Sequence, residues 1–226
     1  QAPAALSRTH EARMTFLERV SPDLVAACWL KAELSSPRFR PRVIAALKRL
    51  DLSSRLIRRP ILTSVRENRL RHRVLQLHRG DLWGGLPHRT EWWRAVIPPQ
   101  EFRRLRVINY PTWTLLSRDT GRLSTAATVI ARGIVPAQAT GRWAHEARAV
   151  ITNVLQIRDR LPDVEIQNQF ILMGRPTGRI WTILEGNKRA TALYIWHFLA
   201  KTAPFPPAIQ LLIGLTEERC ACLRLA

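Results

Sequence analysis

The stretch from residue 180 to residue 196, IWTILEGNKRATALYIW, places a short polar break between two apolar segments. The first segment is short and rich in bulky side chains, which is typical of a buried β-strand, and the second has the length of a helix. A Gly-Asn pair between two such segments indicates a tight turn. The chain is therefore expected to have a mixed α/β fold in which a strand runs directly into a helix that begins near Lys188.

The corner between that strand and that helix is suited to binding an anion. The first backbone N–H groups of a helix have no partner within the helix and carry partial positive charge. Gly186 can adopt a positive φ and lets a ligand approach the backbone, while Lys188 and Arg189 add charge to the first helical turn. Glu185 ends the strand, where it could orient a ribose, hold a phosphate-bound metal or act as a base. The alternative is a tight turn with solvated charges, and the spacing leaves both interpretations open.

The charge of the chain indicates a polyanionic partner. Its formal net charge is +19, from 36 basic and 17 acidic residues, and all but four of the basic residues are arginine. Guanidinium groups match phosphate geometry with paired hydrogen bonds, which favours nucleic acid. An arginine-rich coding composition would explain the preference for arginine over lysine but not the net charge. Arg69, Arg71 and Arg73 are the candidate contacts to the DNA backbone, unless they merely form a solvated helix face.

The pattern of apolar residues and breakers divides the chain into three parts. Residues 1–13 precede Met14 and are predicted to be a leader or an expression remnant, and residues 14–89 form a basic helical segment. Residues 90–226 form a mixed α/β domain. The predicted helices are a helix from Ser21 and helices at 41–50, 61–80, 124–133, 143–161 and 188–201. The predicted strands are 92–97, 105–110, 164–173, 179–184 and 208–216.

The chain lacks an apolar run long enough to cross a bilayer and lacks a recognisable signal peptide. We therefore expect a cytoplasmic protein without membrane insertion.

A predicted strand is followed by the sequence Glu-Gly-x-x-Arg-x-x-Ala and then by a predicted helix. This arrangement resembles the signature box of the ParB/sulfiredoxin-fold superfamily. Here the box runs from Glu185 to Leu193, and the resemblance covers roughly residues 90–216. In that superfamily the box closes a nucleotide pocket beside a small mixed sheet with packed helices. A second signature, that of Fic proteins, has a similar Glu-Gly-Asn core, but it requires a histidine where this chain has Trp181 and a second glycine where it has Lys188.

The resemblance implies a site that binds ATP, with Mg²⁺ accompanying the nucleotide and no separate metal site on the protein. Glu185 would orient the metal or activate water, and Arg189 would act with it. The residues implied to bind the phosphates and the pocket edge are Gly186, Asn187, Lys188, Arg189 and Thr191.

Members of the superfamily differ in activity, and the box discriminates among them. Sulfiredoxins need a cysteine in the box, where this chain has Asn187 and Lys188, and partition proteins need a DNA-reading domain after it. The chain is more similar to plasmid fertility-inhibition proteins of the Osa and FiwA kind. That branch implies ATP hydrolysis, DNA cleavage without sequence specificity and inhibition of plasmid transfer through a conjugation or secretion machine. The alternatives are a kinase for a free amino acid and a non-catalytic inhibitor that docks on a protein machine.

Overall fold

The computed structural model describes residues 13–161 and 170–221. These residues form a mixed α/β fold with a six-stranded sheet, which confirms the predicted fold class. The strands are β1 (Thr15–Arg19), β2 (Glu91–Ile97), β3 (Arg106–Val107), β4 (Ile171–Gly174), β5 (Thr182–Glu185) and β6 (Ile209–Leu215). The helices are α1 (Pro22–Ser35), α2 (Arg40–Arg49), α3 (Arg55–Arg58), α4 (Val65–Trp83), α5 (Pro99–Phe102), α6 (Pro111–Leu116), α7 (Leu123–Ala131), α8 (Gly141–Asp159) and α9 (Asn187–Tyr194). A π-helical turn, Ile195–Leu199, continues α9.

The sheet has the strand order β1-β2-β6-β4-β5-β3 and combines both directions of pairing. β2 is antiparallel to both β1 and β6, and β4 and β5 form an antiparallel hairpin. β4 is parallel to β6, and β3 is parallel to β5. β5 therefore lies between β4 and β3, where its side chains from Thr182 to Leu184 are buried.

The N-terminal segment is not a separate helical unit. Its first described element is β1, which the sequence analysis missed and which pairs with β2 through Thr15 opposite Val96. The buried residues Trp29 of α1 and Leu75 of α4 belong to the same hydrophobic cluster as Ile183 of β5. Residues 14–89 thus add an edge strand and a helical layer to the fold that the rest of the chain builds.

Most predicted element boundaries agree with the structure within a few residues. Ser21 caps α1 as expected, because its Oγ accepts the Leu24 N–H at 3.2 Å. The helix predicted to end at Gly80 instead continues to Trp83, with non-helical angles at Arg79 (φ −134°, ψ 37°). The first part of the strand predicted at 164–173 lies outside the described residues. Within the described ranges, no helix is long and apolar enough to span a membrane.

Helix α9 is buried on nearly all sides. It packs against α7 and α8, and Ala190, Ala192 and Leu193 have no exposed surface. The start of α9 is consequently held at a fixed place at the end of β5, which is the place where the sequence predicts an anion site.

Candidate functional site

The turn from β5 into α9 has the backbone geometry that an anion site needs. Gly186 adopts φ 96° and ψ 12°, a left-handed conformation that favours glycine, and α9 begins at the next residue. The first helical hydrogen bond runs from the Ala190 N–H to the Gly186 carbonyl at 2.8 Å. The N-cap residue is Gly186, which has no side chain to cap the helix, so backbone N–H groups of the first turn of α9 can donate to a ligand or to water.

A cavity of about 520 Å³ lies directly beside this turn. One side is formed by residues 184–189, which span the end of β5, the turn and the start of α9. The other sides come from elements that are distant in sequence: the α1–α2 turn, the bent end of α4, the segment around α6 and the last turns of α8. Their lining residues include Arg38, Phe39, Arg42, Arg79, Asp81, Tyr110, Trp113, Gln156 and Arg160.

The described lining of the cavity is strongly cationic. Six of its side chains are basic and two are acidic: Arg38, Arg42, Arg79, Arg160, Lys188 and Arg189 against Asp81 and Glu185. Three of these cations, Arg38, Arg42 and Arg79, come from the N-terminal segment of residues 14–89, which the sequence analysis did not assign to the pocket. This excess of basic over acidic side chains makes the cavity favourable for an anionic ligand.

Glu185 and Arg189 form an ion pair at the N-terminus of α9. Arg189 Nη2 donates to Glu185 Oε1 at 2.9 Å, and the two side chains are 24% and 19% exposed. Burial, and then the nearby Glu33 carboxylate, raise the pKa of Glu185 from 4.5 to about 7, against the opposing charges of Arg189 and Arg79. A carboxyl group with this pKa can take up or release a proton near neutral pH.

Lys188 is half-buried beside Glu185. Burial, and then the Arg38 guanidinium, lower the pKa of Lys188 from 10.5 to about 8, while Glu185 and Glu33 oppose the shift. Lys188 is therefore still largely cationic at neutral pH and loses its charge in mildly alkaline solution.

A buried carboxylate lies close enough to this site to influence Glu185. Glu33 is 1% exposed, and its Oε1 accepts the Trp29 Nε1–H at 3.2 Å. His78 Nε2 lies 3.2 Å from its other oxygen, and Arg79 Nε lies 3.9 Å from Oε1. The sequence analysis missed this group, although a glutamate inside the apolar helix of residues 24–34 was a usable signal, because buried charges need partners.

Asn187 lines the cavity, but its side chain serves the fold. Its Oδ1 accepts the Ile108 N–H at 3.1 Å, and its Nδ2 donates to the Ile183 carbonyl at 3.1 Å. Both bonds are buried and tie the start of α9 to the chain beside β3 and β5. The side chain of Asn187 is therefore engaged by the fold, and a contact of this residue to a phosphate would have to come from its backbone N–H.

Thr191 does not lie on the edge of the pocket. Its side chain is fully buried, and its Oγ1 donates to the Asn187 carbonyl at 2.8 Å. The prediction failed because α9 is buried around its circumference, so a residue one turn beyond the corner turns into the core.

Arg71 is not available to DNA. It is 0% exposed, and it donates to the carbonyls of Leu56 at 3.2 Å and Ile61 at 3.0 Å. It occupies the inward face of α4, together with the buried Asn68 and Leu75. Its two predicted companions, Arg69 and Arg73, are exposed.

Within residues 13–161 and 170–221, no three His, Cys, Asp or Glu side chains are grouped so that they could hold a metal ion.

No protein-family model, curated protein or solved structure matches this chain. The function is therefore inferred from the chemistry of the cavity.

Proposed function

We propose that the cavity binds ATP, with the phosphates at the turn from Gly186 to Arg189, and that the protein hydrolyses the bound nucleotide. One observation carries this proposal: a left-handed glycine, an uncapped helix start and six basic side chains meet at a single cavity. Each feature stabilises phosphate by a different means, through backbone approach, N–H donors and charge.

The size and the remaining lining of the cavity suit a nucleotide. Its volume of about 520 Å³ lies within the range of roughly 300–1,000 Å³ that is usual for small-molecule sites. Phe39, Tyr110 and Trp113 contribute aromatic surface to the lining, on which an adenine ring can pack. A site that combines basic side chains with aromatic rings suits a ligand that has both phosphates and a base.

Hydrolysis needs positioning and charge neutralisation more than covalent chemistry. Lys188 and Arg189 would neutralise the phosphates, and ionised Glu185 would accept a proton from the attacking water. The new bond joins the water oxygen to the γ-phosphorus, and the bond to the bridging oxygen breaks with its electron pair remaining on ADP. Mg²⁺ fits this site only as a nucleotide-held ion, because the described lining offers just two carboxylates, Asp81 and Glu185.

We also propose that the protein engages DNA through its phosphates, without sequence specificity, and cleaves it. The net charge of +19 supports this partner, since cationic proteins bind DNA by releasing counterions. The ParB/sulfiredoxin resemblance supports the same activities, as well as a role in the cytoplasm as an inhibitor of plasmid transfer.

A kinase for a free amino acid is the second candidate. The carboxyl group of Glu185, with its pKa near 7, could accept a proton from an amino-acid hydroxyl as readily as from water. ATP turnover that rises with L-serine or L-threonine, and that is indifferent to DNA, would favour this alternative.

The test is a titration with the fluorescent nucleotide mant-ATP, combined with a phosphate-release assay. We expect Arg189→Ala to weaken nucleotide binding at least about tenfold, which is the loss of one charge-assisted contact. We expect Glu185→Ala to abolish hydrolysis while DNA binding persists. If neither substitution changes nucleotide binding or turnover, the cavity is not the nucleotide site.

A further inference from the structure

The described chain has an exposed basic surface outside α4, the helix in which the sequence analysis placed the DNA contacts. Residues 37–60 contain eight basic residues and one acidic residue, Asp51, so this stretch carries more than a third of the net charge. We call Arg38–Arg59 the α2–α3 basic segment. Its basic residues are Arg38, Arg40, Arg42, Lys48, Arg49, Arg55, Arg58 and Arg59, and all eight are exposed.

The packing of α2 explains why this charge stays on the outside. α2 buries Val43, Ala46 and Leu47 against its neighbours α1 and α4, which leaves its four cations facing solvent. In α4, by contrast, Arg71 is buried and paired with Glu67. In α4, the helix predicted to bind DNA, one arginine is thus buried in the fold, whereas all four basic residues of α2 are exposed.

The α2–α3 basic segment is continuous with the cavity. Arg38 and Arg42 belong both to the segment and to the cavity lining. Arg49 lies seven residues beyond Arg42 on the same helix, which corresponds to two turns or roughly 10 Å along the axis. Positive charge therefore extends from the cavity mouth along the outer face of α2.

We propose that the α2–α3 basic segment is the docking surface for the sugar-phosphate backbone of a single-stranded nucleic acid whose end reaches the cavity. This proposal rests on the proposed function, because it assumes that the cavity accepts a nucleotide. The strand is single because a cavity of about 520 Å³ has room for one nucleotide with its phosphates and not for a base pair. Arginine-rich surfaces hold such a backbone without reading its sequence.

The test compares two double variants of the full chain that remove the same charge from different surfaces. Lys48→Gln with Arg49→Gln alters α2 outside the cavity, and Arg69→Gln with Arg73→Gln alters the exposed side of α4. Binding of a fluorescein-labelled 20-nucleotide oligo-dT is measured by anisotropy between 50 and 200 mM NaCl. The α2 variant should bind at least about threefold more weakly at low salt, and its salt slope should fall by about 1.4, since each contact to a single strand contributes about 0.7. The α4 variant should keep both values.

Three outcomes would overturn the proposal. The first is an equal loss in both double variants, which indicates diffuse attraction by net charge. The second is a loss confined to the α4 variant. The third is duplex DNA or phosphatidylserine vesicles competing for the α2 surface as well as the single strand does. Binding of mant-ATP distinguishes this proposal from the proposed function. The α2 variant should bind the nucleotide as tightly as the wild type does. If the wild type does not bind mant-ATP, the proposed nucleotide site is refuted, and the docking surface is then judged by the oligonucleotide data.

Discussion

Replacing Glu185 by glutamine should change how the stability of the protein depends on pH. The pKa of Glu185 is about 7 in the folded chain against an ordinary value of 4.5, so the folded state holds a proton that the unfolded chain has released. Glu185 therefore contributes most to stability below pH 4.5, and this contribution is lost as the pH rises through 7. The full loss is about 3 kcal/mol for a shift of this size.

The measurement is urea unfolding of the wild type and of Glu185→Gln at pH 5.0 and pH 7.5. Glutamine has the shape of the neutral carboxyl group and does not titrate, so the wild type should lose about 2 kcal/mol more than the variant between the two pH values. At pH 5.0 the wild-type carboxyl group is protonated, so its ion pair with Arg189 contributes mainly at pH 7.5. The pKa of about 7 already includes the effect of the Arg189 charge, so the expected difference needs no separate allowance for this pair. Asp81→Asn is the matched control, since it removes an exposed carboxylate from the same cavity, and it should follow the wild type. If the free energies of unfolding of the wild type and of Glu185→Gln depend on pH in the same way, the claim that burial destabilises the ionised form of Glu185 is refuted.

Three further substitutions test the assignments around the site. Lys188→Met should weaken nucleotide binding at pH 7. The wild type should bind the nucleotide more weakly as the pH rises through the pKa of Lys188, about 8, and the variant should not show this decline. A fluorescence titration that finds the same decline in the variant would contradict the prediction. Asn187→Ala should lower the free energy of unfolding in urea by about 2–3 kcal/mol, because loss of the two buried hydrogen bonds leaves the Ile108 N–H and the Ile183 carbonyl unpaired. A decrease below about 0.5 kcal/mol would show that the two hydrogen bonds are dispensable. Arg71→Met should lower the melting temperature clearly while the salt slope of DNA binding stays unchanged, and a changed slope would mean that Arg71 reaches the nucleic acid after all.

The sequence was most informative where a local signal determines the structure. The Gly-Asn break after an apolar run predicts the turn at Gly186 because only a few residues are needed to specify a strand end, a positive φ and a helix start. The cap at Ser21 is predicted for the same reason. The short apolar runs of β2 and β6 gave strands at nearly the predicted positions.

The sequence was least informative where the outcome depends on contacts between distant residues. Thr191 and Arg71 were assigned to a ligand because helical spacing does not say which face is covered, and the structure buries both. The contribution of Arg38 and Arg79 to the cavity depends on how α1, α2 and α4 pack beside β5, which no local pattern encodes. β1 was missed because a five-residue strand with every residue exposed has no apolar face to predict it.

A crystal structure with a non-hydrolysable ATP analogue tests the central claim most directly. We predict that phosphate oxygens lie within about 3.2 Å of backbone nitrogens in the first turn of α9 and of Lys188 Nζ, with the base among the aromatic residues of the cavity. An analogue bound elsewhere, or a cavity without analogue at concentrations that saturate the protein in solution, would contradict the assignment of this corner as a phosphate site.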